Sequence, residues 1–311
     1  MVGVGRGRSS GRRGAASRVT DSWGVVNPLS YHDLSRLKSL PGRPSFPRMS
    51  RRTFQLVIQY DGGAFAGWQR QPEQRTVQGA LEEALQRLTQ TQVRVTGAGR
   101  TDAGVHALGQ VASVIVPAKW DGPTLRRALN AVLRRDVRCC DAVEMTAEFH
   151  ARFSATERQY RYLVGTDDDA ASPFRYNREW PLGRRPDVDL LHAEAAEVLG
   201  AHSFRAFAVK GTAPAEDDHV CDVRVCRWDS RPGGVVLTVA ANRFLHHMVR
   251  FLVGTMVEVG IGRRAPGAVR ALLDADMNRD VSPPAPACGL YLERVRYPAH
   301  LYLAPPSMVA A

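Results

Sequence analysis

The stretch Gly99-Arg100-Thr101-Asp102-Ala103-Gly104-Val105-His106 decides how the rest of the chain is read. It lies between two apolar runs, Val93 to Thr96 and Gln110 to Val116, that predict strands, so the stretch itself reads as a loop. Gly99, Ala103 and Gly104 strip side-chain bulk from around one carboxylate, which lets a ligand or another backbone come close. Arg100 offers a nearby positive charge that favours the ionised form of Asp102. The plain alternative is an ordinary turn in which Asp102 caps a backbone N–H.

Outward from this loop, strands and helices alternate. Phe54 to Tyr60 alternates apolar and polar side chains and runs into Asp61-Gly62-Gly63, a strand ending in a turn. Thr76 to Leu88 predicts a helix, with Val77, Ala80, Leu81, Ala84, Leu85 and Leu88 on one face and Thr76 as its cap. A helix over Pro123 to Leu133 and a strand over Val137 to Met145 follow. The second part repeats the theme. Strands are predicted at Tyr160 to Gly165, Val223 to Trp228, Val235 to Ala240 and Gly289 to Tyr297, with a hairpin turn at Pro232-Gly233-Gly234. Helices are predicted at Val188 to Leu199, Phe244 to Val259 and Pro266 to Leu273. This pattern predicts an α+β protein with two mixed halves, 49–150 and 151–300, a short tail at 301–311 and a cleft between the halves.

Composition narrows the class further. The chain has 311 residues, 44% hydrophobic and 23% charged, with no apolar run long enough to span a membrane or open a secretory signal. Five cysteines without a CxxC pair argue against a disulfide framework or a zinc site and suggest a reducing cytoplasm. Residues 1–48 hold nine Lys or Arg and two Asp or Glu, so +7 of the formal +11 lies there and little remains to argue for nucleic acid on charge alone. That Gly-, Arg- and Ser-rich segment reads as disordered. It is a phosphate-binding arm, a transit peptide, or a stretch ahead of the natural start at Met49; the last is preferred, because Met49 runs at once into the first strand.

Several blocks accompany the Gly99–His106 loop: Tyr60-Asp61-Gly62, Gly67-Trp68-Gln69-Arg70-Gln71, Phe149-His150-Ala151-Arg152-Phe153-Ser154-Ala155 and Arg158-Gln159-Tyr160-Arg161-Tyr162. Asn242, Phe244, His246-His247-Met248-Val249-Arg250 and Gly289-Leu290-Tyr291-Leu292 complete the series. In order and approximate spacing, from Arg52 to Tyr297, they resemble the TruA-type tRNA pseudouridine synthases. The resemblance implies the pseudouridine synthase fold: a central, mostly antiparallel sheet from two related halves, with flanking helices and an active cleft between. It implies an isomerase that converts uridines on the 3′ side of the tRNA anticodon stem-loop, acts as a cytoplasmic homodimer, and needs no cofactor, metal or nucleotide. The absence of a Walker loop, a Rossmann glycine pattern and an HExxH motif agrees with that chemistry.

By the same resemblance Asp102 is the catalytic carboxylate and Arg250 its ionic partner. Tyr160 is the ring at the target uracil, and Phe149, His150, Arg152, Arg158, Arg100, Arg70 and His246 contact or approach the RNA. A hydrolytic glycosidase would require a second carboxylate, and none accompanies this loop. His246 and His247, taken as helical neighbours, would point about 100° apart and share one metal ion poorly. Two departures stand out. Asn130-Ala131-Val132-Leu133-Arg134 stands where the family has Asn-x-x-Leu-Pro, and Asp217-Asp218-His219-Val220 stands where it has an Arg-Thr pair, an acidic substitution that should repel phosphate. A non-catalytic RNA-binding or chaperone paralogue, or a synthase for another RNA, are the rival readings. Dependence on Asp102 separates the first of these from an enzyme.

Overall fold

Phe54, Leu56 and Ile58 alternate along β1 (Arg51–Tyr60) and are wholly buried, so the period-two pattern delivers one apolar face to the core. The computed structural model describes residues 50–304 except 213–215, 276 and 278. The basic segment, the expected start at Met49 and the end of the C-terminal tail lie outside the described residues. After β1 comes α1 (Val77–Thr89), whose N-cap Thr76 accepts from the amide of Gly79 and whose C-cap Gln90 is left-handed at φ 57°. β2 (Thr96–Gly97) and β3 (His106–Pro117) flank the loop that carries Asp102. Next are α2 (Gly122–Val132), capped by Asp121, and β4 (Val137–Met145).

The second part holds β5 (Glu157–Gly165), β6 (Trp180–Pro181), α3 (Val188–Ala196), β7 (Gly200–Ser203), β8 (Val220–Arg231) and β9 (Gly234–Ala241). α4 (Met248–Gly260), α5 (Ala268–Leu273) and β10 (Leu290–Arg296) close it. All ten strands form one sheet in the order β4-β1-β3-β10-β5-β9-β8-β7, with β2 on β3 and β6 on β5. Pairing is antiparallel except for β10 with β3 and β5 with β6. The α+β class and the mostly antiparallel sheet expected from the sequence are what the structure has. β10, the last strand in sequence, sits in the middle of the sheet and joins the earlier strands to the later ones.

Three local expectations are corrected. Of the strand expected at Val93 to Thr96 only Thr96–Gly97 pairs, although Val93 and Val95 are buried; they fill the core without a ladder. The helix expected from Phe244 begins at Met248, because Asn242 Oδ1 accepts the amides of Asp222 and Arg243 and fixes an irregular turn ahead of it. β7, with the unpatterned sequence Gly-Ala-His-Ser, was not expected and pairs with β8 as the outermost strand.

Candidate active site

The loop between β2 and β3 is held from beneath by three glycine contacts. A Cβ on Gly62 would lie 2.0 Å from the carbonyl oxygen of Val105, and one on Gly67 (φ +93°) would lie 2.8 Å from that of Thr101. A Cβ on Gly97 would overlap the indole of Trp68 at 2.5 Å. Trp68 N donates to Thr101 O at 3.0 Å, and Val105 N closes a turn onto Asp102 O at 3.2 Å. The Tyr60-Asp61-Gly62 and Gly67-Trp68 blocks are therefore the cradle of the loop, and the lack of side chains where they meet it lets the two backbones touch.

Asp102 projects from this loop with 22% of its side chain exposed. Arg250, on the first turn of α4, donates from Nη1 to Asp102 Oδ2 at 3.0 Å and from Nε to the carbonyl of Ala285 at 2.7 Å. Ala285 N returns a bond to Arg250 O at 2.9 Å, so the guanidinium is braced from behind while it faces the carboxylate. A guanidinium held in this way fixes the direction of the carboxylate that it faces.

The two histidines behave differently from the helical pair expected. Both precede α4, and His247 has a left-handed backbone at φ 63°. That turn brings both imidazoles to the carboxylate, His247 Nε2 at 3.1 Å from Oδ2 and His246 Nε2 at 3.4 Å from Oδ1. Burial, reinforced by Arg250 and His246, lowers the pKa of His247 despite the pull of Asp102, so its ring is neutral at neutral pH. Arg250 Nη1 also lies 3.4 Å from His247 Nε2. Asp102, His246 and His247 bring ligand atoms within 4.8 Å of one another, a grouping of metal-site character. Arg250 already donates to Oδ2 of that carboxylate, whereas Oδ1 faces His246. His247 was the residue that sequence reasoning misplaced. The His-His pair before Arg250 was its signal, obscured by the assumption that the helix had already begun.

Tyr160, on β5, is 8% exposed and meets Phe244 edge-on at 5.0 Å. Burial raises its pKa above the ordinary value, so the phenol stays protonated and offers a ring face and a neutral hydroxyl. Arg100 is exposed, with no ion pair among the described residues, and it is Arg250 that engages the carboxylate. Arg70 is 65% exposed and pairs with Glu82 at 3.1 Å. His150 stacks on the exposed ring of Phe153 at 4.4 Å, and the Arg152 guanidinium lies 5.7 Å from the centroid of the same ring. Together these three form an open aromatic and cationic surface.

Two of the residues expected at the approach to the RNA take other positions. Phe149 is 5% exposed and packs edge-on against Tyr297 at 5.0 Å, because its ring fills the core under the loop that carries His150. Arg158 donates from Nη1 to the carbonyls of Ala155 and Asn242 (3.2 and 2.8 Å) and from Nη2 to those of Ala98 and Arg152 (3.1 and 2.6 Å). Its terminal N–H groups are thus spent on four backbone carbonyls rather than on phosphate. The acidic pair also proves milder than expected. Asp217 is ion-paired to Arg243 at 2.6 Å, and Arg243 holds its carboxyl below the usual range. Asp218 turns its carboxylate onto the amide of Val220 at 2.9 Å.

Comparison with known proteins agrees with this geometry. The sequence profile of the family described as tRNA pseudouridine synthase matches residues 56–154 and 195–298. The chain is 42% identical over 252 residues to a protein named tRNA pseudouridine synthase A from Chlorobium luteolum, covering 79% of this chain and 96% of the relative. It is 43% identical over 249 residues to the protein of that name from Chlorobium chlorochromatii, covering 79% of this chain and 100% of the relative. With that of Roseiflexus castenholzii it shares 42% over 268 residues, 84% of this chain and 96% of the relative. A profile that spans both parts of the sheet, and relatives matched over nearly their whole length, make the chain a member of the tRNA pseudouridine synthase family, an isomerase family.

Proposed function

We propose that this protein isomerises uridines on the 3′ side of the tRNA anticodon stem-loop to pseudouridine, with Asp102 as its catalytic carboxylate. The observation that carries the reading is the Asp102–Arg250 pair: one carboxylate, braced by one guanidinium at 3.0 Å, on a loop stripped of side chains. The reaction breaks the bond between uracil N1 and the ribose, turns the base and rejoins it through C5; C5 loses a proton and N1 gains one. Atoms and electrons balance without a redox partner. The chemistry asks for a carboxylate at the glycosidic bond, an apolar wall that holds the detached base, and exclusion of water. Asp102 supplies the first. Tyr160 and Phe244 supply the wall, with the Tyr160 ring as a stacking face for a flipped-out base. Arg152, Phe153 and His150 offer cationic and aromatic contacts for the RNA outside the cleft.

The protein acts in this proposal as a cytoplasmic homodimer, with one tRNA meeting both subunits; the five free thiols suit a reducing compartment. The test is tritium release from uracil C5 in an unmodified tRNA transcript, comparing the wild type with Asp102→Asn. Release by the wild type alone is expected. Binding without release by either protein would favour a non-catalytic RNA-binding role, and release from a different RNA only would move the substrate.

A further inference from the structure

Beneath the catalytic loop lies a polar network that the contacts of Asp102 do not explain. Gln110, on β3, is 0% exposed, and its amide orientation is fixed because Oε1 accepts from Val111 N at 3.2 Å. The other end of the amide, Nε2, therefore faces two acceptors, the carbonyl of Gly99 at 3.0 Å and the hydroxyl of Tyr60 at 3.4 Å. The Tyr60 hydroxyl shares a second hydrogen bond with Thr101 Oγ1 at 2.8 Å. Burial pushes the Tyr60 pKa up to about 12, which keeps the phenol protonated. Gln110 thus grips the loop on both shoulders of Arg100, at Gly99 directly and at Thr101 through Tyr60. Thr101 is the residue before Asp102, and its carbonyl is already held by Trp68 N.

We infer that Gln110 is a positioning residue for the reaction, acting through Gly99, Tyr60 and Thr101 to set where the Asp102 carboxylate stands. The inference rests on the reading of Asp102 as the catalytic group. Its physical basis is cost: three polar side chains buried at 0 to 6% exposure lose solvation that apolar side chains of the same size would not. Apart from the Gln110–Val111 bond, the bonds of this network lead to Gly99 and Thr101, which flank Arg100 just before Asp102, where a misplacement of about 1 Å is worth on the order of 100-fold in rate. A fully satisfied network of this kind rigidifies what it holds.

Gln110→Glu keeps size and shape but turns the double donor into an acceptor facing two oxygens, and Tyr60→Phe removes a single oxygen. Single-turnover rate, tRNA Kd and transition temperature are measured for both, with Asp102→Asn alongside. The expected result is a rate loss on the order of 100-fold for Gln110→Glu and about 10-fold for Tyr60→Phe, with Kd changed less than about threefold. Rates are read well below each variant's transition temperature, so that loss of folded protein does not count. Wild-type single-turnover rates in the folded variants would overturn the inference and leave the network a purely structural role. Should Gln110→Glu fail to fold, Tyr60→Phe decides alone by the same criterion. An active Asp102→Asn would instead sink the underlying reading, whatever the other two variants do.

Discussion

Arg250 and Asp102, 148 residues apart in the chain, meet at 3.0 Å because α4 starts two residues before the arginine and the β2–β3 loop turns to face it. The guanidinium needs two directions at once, Nη1 toward the carboxylate and Nε toward Ala285 O. Lysine has no fork and cannot serve both. Arg250→Lys is expected to lower the single-turnover rate on the order of 100-fold while tRNA binding holds, as read by filter binding beside rate measurements. Equal losses in rate and affinity would mean that Arg250 serves the RNA instead.

Arg158 separates a clamp from a phosphate contact. Its four carbonyl partners tie Ala98, just before the Asp102 loop, to the 152–155 turn and to Asn242. Arg158→Met removes the charge and leaves partly buried carbonyls unpaired, so a loss of about 3 kcal/mol in stability is expected, seen as a lower denaturant midpoint. The dependence of tRNA affinity on salt should keep its wild-type slope. A slope shallower by about one unit with unchanged stability would restore the phosphate-binding role.

Asp217 holds Arg243 beside the active-site turn. Asp217→Asn releases that guanidinium and removes a negative charge. The expected outcome is tighter tRNA binding, about fivefold at low salt, with a salt slope steeper by up to about one unit. Weaker binding would show that the ion pair shapes the turn more than it restrains the arginine.

His106 predicts an acid limit to stability. Its ring is 3% exposed; Nδ1 accepts from Gly62 N at 3.0 Å, and Nε2 faces the carbonyl of Asn177 at 3.1 Å, the pattern of a neutral ring protonated on Nε2. Burial lowers its pKa, against the opposing pull of Asp61. Below about pH 6.5 the unfolded chain takes up a proton that the folded ring resists. Fewer protons are then bound in the folded state, so stability is present above that pH and is lost as pH falls. His247, lowered in the same direction, adds to the trend. The transition temperature of the wild type should fall between pH 7.5 and 5 more steeply than that of His106→Asn. Parallel curves would remove His106 from the account.

Much of this was legible in the chain. The period of two in Phe54–Ile58 and the Thr76 cap on α1 are local features, and the structure keeps both. The glycine-lined loop was also local, and its carboxylate stands at the centre of the candidate site. What sequence missed is set by distant partners. Arg158 looks like any strand arginine until Ala98, 60 residues before it, and Asn242, 84 after it, present their carbonyls. Asp217 reads as a repulsive charge until Arg243 folds back on it. The start of α4 was blurred because Phe244 and Leu245 continue its apolar run. A side-chain oxygen on Asn242 and a left-handed His247, not hydropathy, decide where that helix begins.

The central place of β10 has a consequence for how the protein is made. Residues 290–296 leave the ribosome after the other nine strands of the sheet, yet β3 and β5 flank that strand on its two sides. Until they arrive, the nascent chain carries two open edges facing each other, the pairings of highest sequence separation still unmade. Synthesis cut short before Leu290 therefore leaves a divided sheet that keeps Asp102 but lacks the strand seated between β3 and β5. Until β10 is in place, β3 and β5 keep open edges of the kind that chaperones and proteases find.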